Sequence, residues 1–264
     1  MSARATNSPL LISAADWCFL RNGVEPAAWY RTLRALGISG IEMTAPANRA
    51  AAQAAGLTLL NVSGPGMERG LNRVEHHAEL LPAITAAINQ AAAAGVPAVI
   101  IFAGNRAGQA HSAGIAACIA GLRTLAPLAE QAGVTLLFEL LNSYDHVDFA
   151  ADHTAYGVAV IEGVASPNVR LLYDIYHMTR MGQEVARDLA THAALIGHIH
   201  VAASPARDVP RAGVAPEYRP LVAIAQAAGY RGHWGLEFIP GADPAAEIAQ
   251  AIAQLRGSTS AAAR

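Results

Sequence analysis

The stretch VTLLFE at 134–139 is an apolar run of strand length that ends on a carboxylate, and the pattern recurs as VRLLYD at 169–174, IGHIH at 196–200 and HWGLE at 233–237. The terminal residues are Glu139, Asp174, His200 and Glu237, at intervals of 35, 26 and 37 residues, and each interval leaves room for a helix. Strands apolar on both faces are what a parallel sheet covered by helices requires. Further runs at 10–13, 40–43, 58–62 and 98–102 join those at 135–139, 170–174, 197–201 and 233–237 to make eight. Eight such units predict a single-domain (β/α)8 TIM barrel over residues 1–256, with a flexible tail at 257–264.

The intervening segments carry the matching helical period. Leu81, Ile84, Ile88 and Ala91 share one face, as do Ile115, Ile119, Leu122 and Ala126, and later Ala245, Ile248, Ala249, Ile252 and Leu255. Gly37, Gly56, Gly95, Gly133 and Gly229 each stand just before a strand, where helices end. The longest loops are expected after strands three and seven, at 63–74 and 202–217.

Of the 264 residues, 53% are hydrophobic and 14% charged, which suits a deep core and argues against disorder. A net charge of −2 offers no electrostatic footprint for nucleic acid or an anionic membrane. Cys18 and Cys118 cannot build a disulfide framework. Asp16 interrupts the apolar start, against a signal peptide, and no run is read as a membrane span. These features predict a cytoplasmic enzyme with a small-molecule substrate and allow a homo-oligomer.

In a parallel barrel, the carboxyl ends of the strands converge on the face where catalytic groups sit. Residues two apart share a face, so His198 points inward with His200, and Gly235 with Glu237, while Tyr173 and Trp234 point outward. Three converging carboxylates repel in a low-dielectric pocket, and nothing at these strand ends supplies a lysine or arginine. A divalent cation would neutralise them; the competing reading pairs the acids with an arginine such as Arg207. Three oxygen donors and one imidazole without thiolate suit Mg2+ or Mn2+ rather than zinc. A cation flanked by two glutamates can move a proton between adjacent carbons of a hydroxy-carbonyl compound.

The segments FELLN (138–142), LLYDIYHMTRM (171–181), IGHIHVAASPARDVPRAG (196–213) and YRGHWGLEFIP (230–240), with GIEMTAP (40–46) and ERG (68–70), resemble the hydroxypyruvate isomerase family. That family lies within the xylose-isomerase-like TIM barrels, which also include ketose 3-epimerases. The resemblance implies that Glu139, Asp174, His200 and Glu237 hold Mg2+ or Mn2+, and that Glu139 and Glu237 are the catalytic acid–base pair. It implies that His177, in the Asp-x-x-His spacing, and Arg207 bind substrate. It further implies aldehyde–ketone interconversion through an enediolate, of hydroxypyruvate to tartronate semialdehyde or of a related keto acid. The alternative is a ketose 3-epimerase acting on free sugars. The chain departs from the family pattern at His200, where enterobacterial members have glutamine, and at Leu140, Ala202, Ala203 and Ser204.

Among other residues, Arg207 offers a planar bidentate partner for a carboxylate. Loops 202–210 and 239–244 lack a glycine-rich nest, which disfavours a phosphorylated substrate. Glu42 ends strand two and could orient a neighbour, touch substrate or be structural. His198 is read as a hydrogen-bonded lumen residue, and Asn142 as a residue that fixes its loop. Glu68 and Arg69 could help close the site.

Overall fold

The computed structural model describes residues 9–21 and 23–257, so 258–264 of the expected tail lies outside the described residues. Eight parallel strands close a barrel in chain order: β1 (Ile12–Ala15), β2 (Gly40–Glu42), β3 (Thr58–Ser63), β4 (Ala98–Ile101), β5 (Thr135–Glu139), β6 (Val169–Asp174), β7 (Ile196–Val201) and β8 (Trp234–Leu236). Closure falls to β1, where Ala14 lies beside Ile41 of β2 and Leu236 of β8. Each expected run is a strand. The first is displaced from 10–13 because Ala14 and Ala15, which carry little strand propensity of their own, are buried between neighbours.

Each strand leads to an outer helix, in turn Pro26–Ala35, Arg49–Ala54, His77–Ala93, His111–Ala132, Thr154–Val164, Val185–His192, Tyr218–Ala227 and Pro244–Arg256. Gly133 stops the fourth of these at φ 64°, a left-handed conformation that favours glycine. Gly257, expected to start the tail, instead caps the last helix at φ 72°.

The helix His111–Ala132 corrects one expectation. It is long and apolar enough to cross a membrane, yet it forms part of the ring around the barrel. Its fully buried residues include Gly114, Cys118, Gly121 and Leu122, whereas Ile115 and Ile119 are only partly buried. The face is turned because this helix also packs on Thr154–Val164: a Cβ at Gly163 would come 2.3 Å from Ile119 Cδ1. Ile119 therefore fills the seam between helices rather than the barrel side.

Large aliphatic side chains usually fill such a lumen. Here Leu137 and Leu172 do so below Glu139 and Asp174, but the opposite side holds Ser13, Glu42, Asn61 and His198, all buried. Buried polar groups need partners: Ser13 and Asn61 donate to Glu42, and His198 Nε2 lies 2.8 Å from the same carboxylate without an aligned hydrogen bond. The polar column leads up to the C-terminal mouth.

Candidate metal centre

Glu139 is the last residue of β5 and Asp174 the last of β6; His200 lies one residue before the end of β7. Glu237 follows β8 directly and stays in register because its N–H donates to Val201 O at 3.1 Å. One donor atom from each of the four lies within 4.8 Å of the others, and all four residues are buried. The structure thus brings together the four groups expected from the strand ends.

Their surroundings differ. Glu237 Oε1 accepts from Trp17 Nε1 at 2.9 Å, and its Oε2 accepts from Arg207 Nη2 at 2.6 Å. Burial would raise its pKa, but the charges of His200 and Arg207 outweigh burial and hold it well below the usual carboxylate range. Glu139 has no such anchors, meets His200 Nδ1 at 3.5 Å, and is pushed upward by burial. Burial also lifts Asp174 to about 7, although Arg207 pulls the other way. Burial opposes charging His200, yet the carboxylates of Glu237 and Glu42 hold it well above the usual imidazole range.

This donor set fits a divalent cation. Three carboxylates confined to one buried cluster are mutually destabilising without added positive charge. His200 Nδ1 lies 3.1 Å from Glu237 Oε2 yet makes no aligned hydrogen bond, so a buried nitrogen points into the space between carboxylates. A cation with oxygen and imidazole ligands answers both features. Arg207 supplies part of the counter-charge, lying 3.9 Å from Asp174 as well as on Glu237, but it does not reach His200 Nδ1.

The Asp-x-x-His spacing has a local cause. Asp174 Oδ1 accepts from the backbone N–H of His177 at 3.2 Å, capping the short helix Ile175–Arg180 and leaving Oδ2 toward the cluster. His177 Nδ1 accepts from the Asn142 backbone N–H at 3.0 Å, so its proton resides on Nε2, 3.6 Å from Asp174 Oδ2. Burial holds His177 well below the usual imidazole range, hence neutral. Asn142 fixes its loop as expected, through Oδ1 to the N–H groups of Tyr144 and Asp145.

Arg207 is held at φ 54°, and its carbonyl accepts from Ile239 N–H at 2.7 Å, pinning the loop after β7 to the exit of β8. Its guanidinium lies 5.4 Å from the Trp17 ring and 5.2 Å from the Tyr176 ring. Beside it opens a pocket of about 420 Å3 with a polar wall including Glu139, His146, His177 and Glu237, and an apolar wall of Trp17, Met43, Met67, Phe102 and Leu141. A larger cavity, about 640 Å3, opens at the opposite end of the barrel and contains none of the four groups.

Sequence reasoning missed Trp17 and His146. Trp17 reaches the site only because β1 closes on β8, a relationship with no local signal. Glu42 turns inward to His200 and His198 rather than to the pocket, with Oε2 2.8 Å from each Nε2. Glu68 and Arg69 do not line the pocket; Arg69 pairs with Glu79 at the surface, and Met67 faces the site instead.

Fold and donor set together define a barrel of eight parallel strands with a carboxylate-rich centre at its C-terminal face. A family profile described as xylose isomerase-like TIM barrel matches residues 22–257, and the chain belongs to that family. Among curated relatives, hydroxypyruvate isomerase of Escherichia coli K12 is 30% identical over 175 residues, 66% of this chain and 67% of that one. The 2-oxo-tetronate isomerase of Cupriavidus necator is 30% identical over 226 residues, covering 80% and 86%. A putative hydroxypyruvate isomerase of Streptomyces coelicolor is 32% identical over 123 residues, and the match spans 44% of its length. A structure of a family 2 AP endonuclease from Brucella melitensis shares the fold, with a TM-score of 0.81, 23% identity and coverage of 90% and 97%.

Proposed function

We propose that this protein is a divalent-cation-dependent isomerase that interconverts the aldehyde and ketone forms of a small hydroxy-carbonyl acid, either hydroxypyruvate to tartronate semialdehyde or a related 2-oxo acid. Glu139, Asp174, His200 and Glu237 hold the cation, Mg2+ or Mn2+. The observation that carries this reading is the pairing of two differently held glutamates in one four-donor cluster beside a pocket containing an arginine. The names of the isomerase relatives support the same substrate class.

When bound, the cation would polarise the substrate carbonyl and neighbouring hydroxyl and acidify the C–H between them. Glu139, raised by burial and free of other anchors, is suited to take that proton. In hydroxypyruvate the proton leaves the hydroxymethyl carbon, and the C–H electrons form the double bond of an enediolate. The hydroxyl proton passes from the terminal oxygen to the former carbonyl oxygen, and a proton returned to the former carbonyl carbon leaves the aldehyde at the other end. Glu237, held in place by Trp17 and Arg207, is the second proton carrier. His177 presents Nε2–H to a substrate oxygen. Arg207, with donors beyond the one on Glu237, meets the substrate carboxylate at the edge of the pocket. The chain contains no lysine, so its side chains offer no amine for an imine-forming mechanism.

Proton NMR of hydroxypyruvate in D2O with Mg2+-loaded protein tests the reading. Deuterium should enter the hydroxymethyl carbon and EDTA should stop it. Undiminished proton signals for hydroxypyruvate and other 2-oxo acids would count against it.

A further inference from the structure

We propose that Glu42, at the centre of the barrel, is a positioning residue that fixes His200 as an Nδ1 ligand, with Nε2–H turned away from the cation. The proposal rests on reading the four strand-end groups as a divalent-cation site.

Glu42 ends β2 and is wholly buried. Its Oε2 accepts from His200 Nε2 at 2.8 Å and Asn61 Nδ2 at 2.7 Å, and its Oε1 accepts from Ser13 Oγ at 2.6 Å. A buried carboxylate is costly unless donors meet its lone pairs, and here donors from β1, β3 and β7 do so. Space for it comes from β8: a Cβ on Gly235 would lie 2.2 Å from Glu42 Oε1 and 2.8 Å from His200 Cδ2. Four other strands therefore fix one carboxylate under one imidazole.

The consequence for His200 follows from its chemistry. The neighbouring carboxylates keep His200 protonated without a cation, but a histidine that ligates one must be neutral, with one N–H and one lone pair. With Nε2–H committed to Glu42, the lone pair sits on Nδ1, which faces Glu237 Oε2 and Glu139 Oε1 at 3.1 and 3.5 Å. A carboxylate on the far nitrogen orients a metal-ligating histidine and makes it a better donor. Glu42, His198 and His200 are also close enough to be considered a cation cluster of their own. The oxygens of Glu42 are already occupied by Ser13, Asn61 and His200, which leaves this group a scaffold rather than a second site.

Co2+ titrated into the full-length protein, followed by calorimetry and by proton NMR in H2O and D2O, tests the proposal. The wild type should bind Co2+ and show a hyperfine-shifted, solvent-exchangeable imidazole N–H that is missing from His200→Gln. Glu42→Gln keeps the shape but removes the charge. It should weaken Co2+ binding about 10- to 100-fold and broaden or abolish that N–H signal while the circular dichroism stays native. If Glu42→Gln binds as tightly as wild type with the same N–H signal, the proposal is overturned and the cation site stands. If the wild type takes up no Co2+ at millimolar concentration, the cation-site reading fails and the proposal falls with it. If Glu42→Gln does not fold, the wild-type ring C–H signals decide: one broad and one sharp shifted His200 C–H means Nδ1 coordination, since only Cε1–H then adjoins the ligating nitrogen, and two broad ones mean Nε2 coordination and overturn the proposal.

Discussion

Trp17 and Glu237 stand 220 positions apart, yet the indole N–H of one donates to the carboxylate of the other at 2.9 Å. The contact exists because β1 closes the barrel against β8. Trp17→Phe keeps an aromatic ring and removes the donor. A hydrogen bond to a charged group contributes about 1.5–3 kcal/mol, so kcat is expected to fall roughly ten- to hundredfold. Trp17 is 48% exposed, so Tm should barely move. Steady-state kinetics beside a thermal melt check this. An unchanged kcat would mean that the indole does not hold Glu237 in its working position.

Glu139→Gln and Glu237→Gln each remove a proton acceptor and a charge while nearly preserving shape. Each is expected to lower turnover by more than about a hundredfold with the fold retained. Rates measured at saturating Mn2+, with bound metal quantified, separate lost proton transfer from lost cation. A variant with bound metal and activity within a few-fold of wild type would remove that glutamate from the proton path.

Arg207→Ala should raise KM for a 2-oxo acid far more than for a neutral ketose of similar size, and Lys should restore only part of the loss because it lacks the planar fork. The pairing of Arg207 with Glu237 adds a second effect, a fall in kcat on both substrates. Equal changes in KM on the two substrates would assign Arg207 to holding Glu237 alone.

In the cation-free protein, Asp174 and Glu139 should contribute less stability as pH rises from about 4 to about 7, against the opposite contribution of buried neutral His177. Burial raises folded Asp174 from 3.8 to about 7 and pushes Glu139 in the same direction. The unfolded chain ionises first, so this contribution is whole below the unfolded value and lost as pH climbs through the folded one. Excess Mg2+ should flatten the slope, since a ligand that binds only the native state stabilises it, by about 2.7 kcal/mol at a hundred times Kd. Thermal melts across this range, with EDTA or Mg2+, check both signs. Asp174→Asn removes the Asp174 share, so its cation-free Tm should fall less, or rise more, than that of the wild type from about pH 4 to about 7; identical slopes would contradict the assigned shift.

Much of this was legible because each decisive group is written at a strand end. Glu139, Asp174, His200 and Glu237 follow apolar runs, and alternation placed His198 and Gly235 in the lumen. The start of β1 was misplaced because Ala14 and Ala15 take their strand character from neighbours. Trp17 and His146 could not be found, since each reaches the pocket through barrel closure or the path of a long loop. Glu42 stood at a readable strand end, but its partners Ser13, Asn61 and His200 lie on three other strands. Arg207 was placed near the site, whereas its grip on Glu237 depends on a left-handed backbone position that no residue type announces.

The most direct test of the central claim is to present Mn2+-loaded protein with a panel of three- to six-carbon 2-oxo acids and free ketoses, following products by NMR with EDTA-treated protein as control. The account predicts cation-dependent aldehyde–ketone interconversion of a 2-oxo acid, with no epimerisation of ketoses at C3. Epimerisation of free ketoses with no turnover of any 2-oxo acid would contradict the substrate assignment, and equal activity with and without EDTA would contradict the metal centre.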